Sequence, residues 1–323
     1  MSEQKRELLS VIVPAFNEQE VLPEFHQRLV SALGKLKMDL EVVYVNDGST
    51  DGTLQVFNEL RESDDRVALV DLSRNFGKEI AVTAGLHNAK GDAVVVIDAD
   101  LQDPPELIPE FVKEWKNGCD VVYAKRTERS GESILKKATA HFFYSFMQHL
   151  GRVKIPQDTG DFRLLSRRAV NALNSLNEQH RFMKGLFTWI GYRQKAVMYQ
   201  RDPRYAGQTK WNYWGLWNLA IEGVTSFTTI PLRVSVYIGA ITALGAFSYG
   251  IYMTVTTLIH GNPVAGYPSL IVIVLFLGGV QLMAIGVIGE YLGRVFDETK
   301  KRPLYFLNAY LPRRIDSENK ELQ

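Results

Sequence analysis

The chain has 323 residues, and its 37 Lys and Arg nearly balance 36 Asp and Glu, which excludes a broadly basic nucleic-acid binder and an acidic disordered protein. Hydrophobic residues make up 46% of it, enough for a sizeable core and about two units of structure. A single cysteine, Cys119, excludes an intramolecular disulfide framework and a cysteine-based metal cluster.

The N-terminal segment is charged and runs straight into a strand-like stretch, so no cleavable signal peptide is expected. Leu8–Val13 is a short apolar run, as in a strand buried on both faces. Val21–Leu36 has helical spacing, Leu40–Val45 reads as a second strand closed by the turn Asn46-Asp47-Gly48-Ser49, and Leu54–Leu60 as a helix. Val67–Leu72 is the third strand, Glu79–Asn88 a helix, and Ala93–Ile97 the most buried-looking strand. Pro104–Trp115 is helical, with prolines suited to its first turn, and Asp120–Ala124 is a fifth strand. This alternation predicts an α/β, doubly wound, mostly parallel sheet, which binds ligands beyond the carboxyl ends of its strands. The polar clusters fall there: Phe16-Asn17-Glu18, Asn46-Asp47, Asp98 to Asp103, and Lys125-Arg126.

Directly after an apolar strand, Asp98, Asp100 and Gln102 alternate. In extended chain, residues two apart point to one side. The three therefore read as oxygen donors to one hard cation, Mg²⁺ or Mn²⁺, of the kind that shares its ligands with substrate phosphates. The chain has no Gly-x-Gly-x-x-Gly after its first strand and no Gly-rich loop ending in Lys-Ser/Thr, which weakens dinucleotide and P-loop readings.

Between Arg233 and Glu290 lie 56 consecutive residues without Asp, Glu, Lys or Arg. They split into Val234–Ile259 and Leu270–Gly289 around a turn-like stretch, each run long enough to cross a hydrocarbon core of roughly 30 Å. Cations flank the spans at Arg233, Arg294, Lys300, Lys301 and Arg302, and none lies between them. The positive-inside rule then places both termini in the cytoplasm. Before the first span, Trp211, Tyr213, Trp214, Trp217 and Phe227 suit the headgroup level of a bilayer. Ser133–His149 is a second amphipathic candidate, with Phe142, Phe143, Phe146 and Met147 against Lys136 and Lys137. The expected organisation is a cytosolic domain over 1–210, interfacial helices over 211–232, spans over 233–259 and 270–293 joined by an external loop over 260–269, and a cytosolic tail over 294–323.

The segments Val13-Pro14-Ala15-Phe16-Asn17-Glu18, Val45-Asn46-Asp47-Gly48-Ser49 and Ile97-Asp98-Ala99-Asp100-Leu101-Gln102-Asp103 resemble glycosyltransferase family 2 of the GT-A fold. Arg74-Asn75-Phe76-Gly77, Asp158-Thr159-Gly160-Asp161-Phe162-Arg163, Gly207-Gln208-Thr209-Lys210-Trp211 and the two-span tail narrow the resemblance to the polyprenyl-phosphate glycosyltransferases, over about residues 8–312. The resemblance implies that Pro14, Ala15, Phe16 and Glu18 bind the nucleoside, with Asp47 at the base. It implies that Asp98, Asp100 and Gln102 hold the metal and diphosphate, that Asp100 and Arg126 serve the transfer itself, and that Arg204 and Lys210 lie in a loop closing over the donor. Lys136, Lys137 and Arg163 are the candidates for the acceptor phosphate. Asp158 and Asp161 read either as carboxylates that orient substrate or act as base, or as tethers for Arg163, Arg167 and Arg168 in a loop before a helix. Two departures, Asn46 where relatives have Asp and Gln208-Thr209 where Glu-Ser is usual, bear on sugar or base selection.

The implied partners are a nucleotide-sugar donor, polyprenyl phosphate and membrane lipid, with no nucleic acid. The implied reaction is an inverting, metal-dependent transfer of one sugar at the cytoplasmic face of an inner membrane, with glucose from UDP-glucose the leading donor. N-acetylglucosamine, a modified pentose and mannose remain as other sugars. A processive polysaccharide synthase is disfavoured by the two spans and the missing Gln-x-x-Arg-Trp motif, and a non-catalytic nucleotide-sugar-sensing scaffold by the intact carboxylate cluster. Small residues Gly278, Gly279, Ala284, Gly286 and Gly289 in the second span permit close helix packing and suggest a homo-oligomer, a tetramer among the options.

Overall fold

The computed structural model describes residues 6–127, 159–199, 230–260 and 266–314. The readings on Lys136, Lys137, Asp158, Arg204, Lys210 and the aromatic segment 211–229 lie outside the described residues.

The near-continuous apolar runs form the strands of one sheet, as chain buried on both faces must. β1 (Leu8–Ala15), β2 (Asp39–Asn46), β3 (Val67–Leu72) and β4 (Ala93–Val96) alternate with α1 (Leu22–Leu33), α2 (Thr53–Ser63) and α3 (Lys78–Asn88). A 3₁₀ turn at Pro105–Leu107 leads into α4 (Ile108–Lys116), then come β5 (Val121–Arg126), β6 (Thr159–Ser166), α5 (Arg167–Asn174), α6 (Met183–Trp189) and β7 (Gln194–Tyr199). Two long helices, α7 (Ile230–His260) and α8 (Tyr267–Lys300), precede a last strand, β8 (Leu307–Leu311).

The sheet order is β7-β5-β6-β4-β1-β2-β3-β8. Pairs β1/β2, β1/β4, β2/β3 and β5/β7 are parallel, while β6 runs antiparallel between β4 and β5, and β8 antiparallel along β3. The expected α/β class with a mostly parallel sheet is borne out. Residues Leu22, Phe25, Phe57, Ile108 and Phe111 pack α1, α2 and α4 on one face. Ala81, Val82, Ala84, Val170 and Phe187 pack α3, α5 and α6 on the other. The helix α3 lies close to the sheet because its inward residues are small, and Gly85 sits against the Ile12 side chain with no room for a Cβ.

Two features differ from the sequence reading. The stretch Thr159–Ser166 is an inserted antiparallel strand, not a loop before a helix. An antiparallel insertion was invisible in a pattern read for crossovers. The segment after α8, read as part of a tail, supplies the eighth strand: Phe306 O accepts from Ser73 N at 2.9 Å, and Arg61 Nη2 donates to Pro312 O at 3.0 Å.

Helices α7 and α8 are each long and apolar enough to cross a membrane, and none of their apolar stretch is buried. Phe247 is 70% exposed and Leu258 81%, so these are not core helices of the globular part. β8, which follows α8, is hydrogen-bonded along β3 into the same sheet as β1 and β2.

Candidate active site

The carboxyl ends of β1 and β2 carry loops stitched to each other by polar side chains. Asn17, in left-handed backbone at φ 57°, accepts Thr50 N at 2.8 Å on its Oδ1, and Asn17 N donates to Ser49 Oγ at 3.1 Å. Thr53 Oγ1 accepts from Glu18 N at 2.9 Å. Of the proposed nucleoside-binding residues, Pro14 and Ala15 are buried at the end of β1, whereas Phe16 and Glu18 are partly open to solvent beyond it.

Asp47 is buried, and its two oxygens accept from Phe76 N at 2.7 Å and Gly77 N at 3.0 Å. It therefore fixes the loop between β3 and α3, a role that the assignment to a nucleoside base does not include. Gly48 beside it has φ +64°, and a Cβ there would run into the backbone of Arg74 and Asn75. Gly48→Ala is expected to cost at least about 1–2 kcal/mol from the left-handed backbone alone. A thermal unfolding comparison checks this, and an unchanged midpoint would contradict it.

Past β4 the chain does not stay extended. It turns at Ala99-Asp100, Leu101 adopts φ 57° with its side chain buried, and Gln102 N donates to Asp100 Oδ1 at 3.2 Å. Asp98, Asp100 and Gln102 therefore do not alternate along extended chain, since the chain turns here with Leu101 buried. The three remain within one short loop.

What stands beside Asp98 is Asp161. In the β4/β6 ladder Val96 pairs with Arg163, and continuing that register by two residues sets Asp161 opposite Asp98. Lys78 Nζ bridges them, 2.6 Å from Asp98 Oδ2 and 2.7 Å from Asp161 Oδ2. Burial alone would raise the Asp161 carboxyl, but the charges of Lys78 and Lys184 hold it below the usual range. Among the described residues Asp161 Oδ1 is buried without a hydrogen-bond partner.

Glu79 follows Lys78, and its Oε2 accepts from Met183 N at 3.2 Å. Burial, reinforced by the charge of Asp161, pushes the Glu79 carboxyl up to about 8 against the pull of Lys78 and Lys184. A carboxyl raised on folding contributes stability fully present below its unfolded value near 4.5, and that stability is lost as pH rises through about 8. Glu79→Gln is therefore expected to flatten the fall in unfolding midpoint across that window. The same fall in the variant as in the parent would contradict the assignment.

Arg126, at the end of β5, and Asp103 converge on Tyr199 from β7. Tyr199 OH donates to Asp103 Oδ1 at 2.5 Å, and Arg126 Nε lies 3.4 Å from the same hydroxyl. Burial and Asp103 push Tyr199 up to about 12. Arg126 also borders Gly160 at the start of β6, so it faces the same end of the sheet as Asp161.

Arg163 corrects its expected role. It is only 4% exposed, donates to Gly160 O at 2.8 Å and Asp161 O at 3.3 Å, and lies 3.8 Å over the Phe187 ring. It braces its own strand instead of reaching for an acceptor phosphate. Burial pulls its guanidinium down to about 10. Arg167 and Arg168 have partners other than Asp161: Arg167 donates to Gly91 O and Ala89 O, and Arg168 pairs with Asp120.

Among the described residues no three His, Cys, Asp or Glu side chains converge as a metal cage. Asp98 and Asp100 offer carboxylate oxygen in one loop, which fits a divalent ion that takes one or two carboxylates and completes its shell with substrate phosphates. The sequence reading missed Lys78 and Glu79. Their signal was a charged pair opening a helix whose following residues, Ala81 to Leu86, are almost all small or apolar.

The profile of Glycosyl transferase family 2 matches residues 10–173, and that of the GtrB C-terminal hairpin matches residues 230–295. An uncharacterized glycosyltransferase of Synechocystis is 50% identical over 94% of this chain and 97% of its own. The bactoprenol glucosyl transferase of Shigella phage SfV is 49% identical over 93% of this chain and 97% of its own. Among solved structures, glucosyl-3-phosphoglycerate synthase from Mycobacterium tuberculosis in complex with Mn²⁺, UDP and phosphoglyceric acid aligns at a TM-score of 0.46 and 21% identity, over 67% of this chain and 75% of that one.

Proposed function

Since the chain belongs to glycosyltransferase family 2 and is a glycosyltransferase of GT-A-like fold, we propose that it moves one sugar, glucose from UDP-glucose, onto a polyprenyl phosphate at the cytoplasmic face of an inner membrane. The observation that supports this reading is the pair of long apolar helices joined to the sheet that bears the carboxylate loop: β8 follows α8 and pairs with β3. A water-soluble acceptor would leave that hairpin without a purpose. The acceptor and the sugar are taken from the bactoprenol glucosyl transferases that the chain resembles.

A phosphate monoester has a second pKa of about 6, so the acceptor is mostly dianionic near neutrality and already a nucleophile. The harder task is to bring two anionic phosphates together while a nucleoside diphosphate leaves. Asp98 and Asp100 would hold Mg²⁺ or Mn²⁺, which supplies charge neutralisation at the departing diphosphate. Arg126 adds a fixed cation at the end of β5, and Arg204 and Lys210 are assigned to the closing loop. Pro14, Ala15, Phe16, Glu18 and Asp47 form the nucleoside side of the site. Asp161 presents its unpaired oxygen to the sugar or to the acceptor. Attack from the face opposite the leaving group inverts the anomeric centre, so an α-linked donor yields a β-linked lipid. Lys136 and Lys137 remain the proposed contacts to the acceptor phosphate, and α7 and α8 the two spans, with both termini cytoplasmic.

The test is transfer of radiolabel from UDP-glucose, UDP-N-acetylglucosamine and GDP-mannose to undecaprenyl phosphate by the purified full-length protein, with Mg²⁺ or with EDTA. Labelled lipid from UDP-glucose that disappears with EDTA is expected. Product from a different donor corrects the sugar, product in EDTA corrects the metal, and no labelled lipid from any donor overturns the reading.

A further inference from the structure

Lys78 is the first residue of α3, and its place is set from the nucleoside side of the site. Asp47 accepts the N–H groups of Phe76 and Gly77, Gly77 takes φ 95°, and the helix opens at the next residue. The ammonium that results reaches both Asp98 Oδ2, at 2.6 Å, and Asp161 Oδ2, at 2.7 Å. Asp161 keeps its other oxygen buried and, among the described residues, without a partner. The Lys78 side chain is 46% exposed, so it stands at the mouth of this arrangement.

We propose, resting on the transferase reading, that Lys78 is a positioning residue: it clamps Asp161 against the end of β4 and competes with a divalent cation for Asp98. Asp98 Oδ2 is taken by the ammonium, and a second cation arriving at the same carboxylate meets a like charge across a few ångströms. Lys78 therefore weakens metal binding at Asp98 and, in exchange, holds Asp161 where the reacting groups pass. Its removal has opposite signs on two measurable quantities, which a merely structural residue would not produce.

The experiment follows Mn²⁺ binding by the electron paramagnetic resonance of free Mn²⁺ in the full-length detergent-solubilised protein with UDP present, beside steady-state transfer kinetics. The proteins are the parent, Lys78→Met and Lys78→Arg. Lys78→Met is expected to bind Mn²⁺ at least about threefold more tightly, because an opposing charge is gone. Its kcat is expected to fall at least about tenfold with KM for the donor nearly unchanged. Lys78→Arg keeps a cation and is expected to hold Mn²⁺ near the parent's affinity. Equal or weaker Mn²⁺ binding by Lys78→Met, or a kcat within about twofold of the parent, overturns the proposal. If the parent itself binds no Mn²⁺ with UDP present, the metal reading of Asp98 fails and this proposal falls with it. A thermal unfolding scan verifies folding, and Lys78→Gln carries the same expectations should the methionine variant unfold.

Discussion

Asp161→Asn is expected to lower kcat by about 10²-fold, near the low end for a group that assists proton or charge movement, while changing donor affinity little. The low end is chosen because a lipid phosphate is already ionised and asks less of a base than a hydroxyl would. The loss arises from position. The β4/β6 register sets Asp161 opposite Asp98, Lys78 fixes one of its oxygens, and the other is buried without a hydrogen-bond partner among the described residues. An asparagine keeps the volume but gives up the charge that holds the ammonium and the acceptor capacity of one oxygen. Steady-state kinetics with labelled donor checks this, and a kcat within a few-fold of the parent would remove Asp161 from the reaction.

The second large effect concerns stability. Phe162, the next residue along β6, points to the opposite face, is fully buried, and packs its ring 4.8 Å from Phe111 of α4. Phe162→Ala is expected to cost about 3–5 kcal/mol, the usual penalty for emptying a buried aromatic site. That is a large share of a total stability on the order of 5–15 kcal/mol. A fall in unfolding midpoint on the order of 10 °C follows for a domain of this size. A shift of only a degree or two would mean that β6 does not hold α4 in the way its packing indicates. On the proposed reading one strand carries a reacting face and a cohesive face, and the two substitutions separate them.

The strands and helices up to Ala124 were legible because each apolar run is buried on both faces, and because polar clusters fall at the carboxyl ends of β1, β2, β4 and β5. Leu8–Val13 and Val67–Leu72 illustrate this, the second matching its strand residue for residue. The loop of Asp98 to Gln102 was not legible in detail. The sequence shows alternation there, while the fold buries Leu101 and turns the chain. Lys78 and Glu79 stayed hidden because their meaning depends on Asp98 and Asp161, partners 20 and more residues away that only the sheet brings together. Arg163 misled for a related reason, since an arginine beside aspartates suggests phosphate binding until its guanidinium is seen on Phe187 and on its own backbone. β8 went unread because Leu307–Leu311 lies far along the chain from its partner β3, beyond two apolar helices.

The most direct test of the central claim is the anomeric proton coupling, by nuclear magnetic resonance, of the sugar–lipid made by the purified protein from UDP-glucose and undecaprenyl phosphate. The expected product is a β-linked glucosyl phospholipid, formed by one direct displacement on an α-linked donor. An α-linked product would contradict that displacement and require either a second displacement or a different mode of transfer.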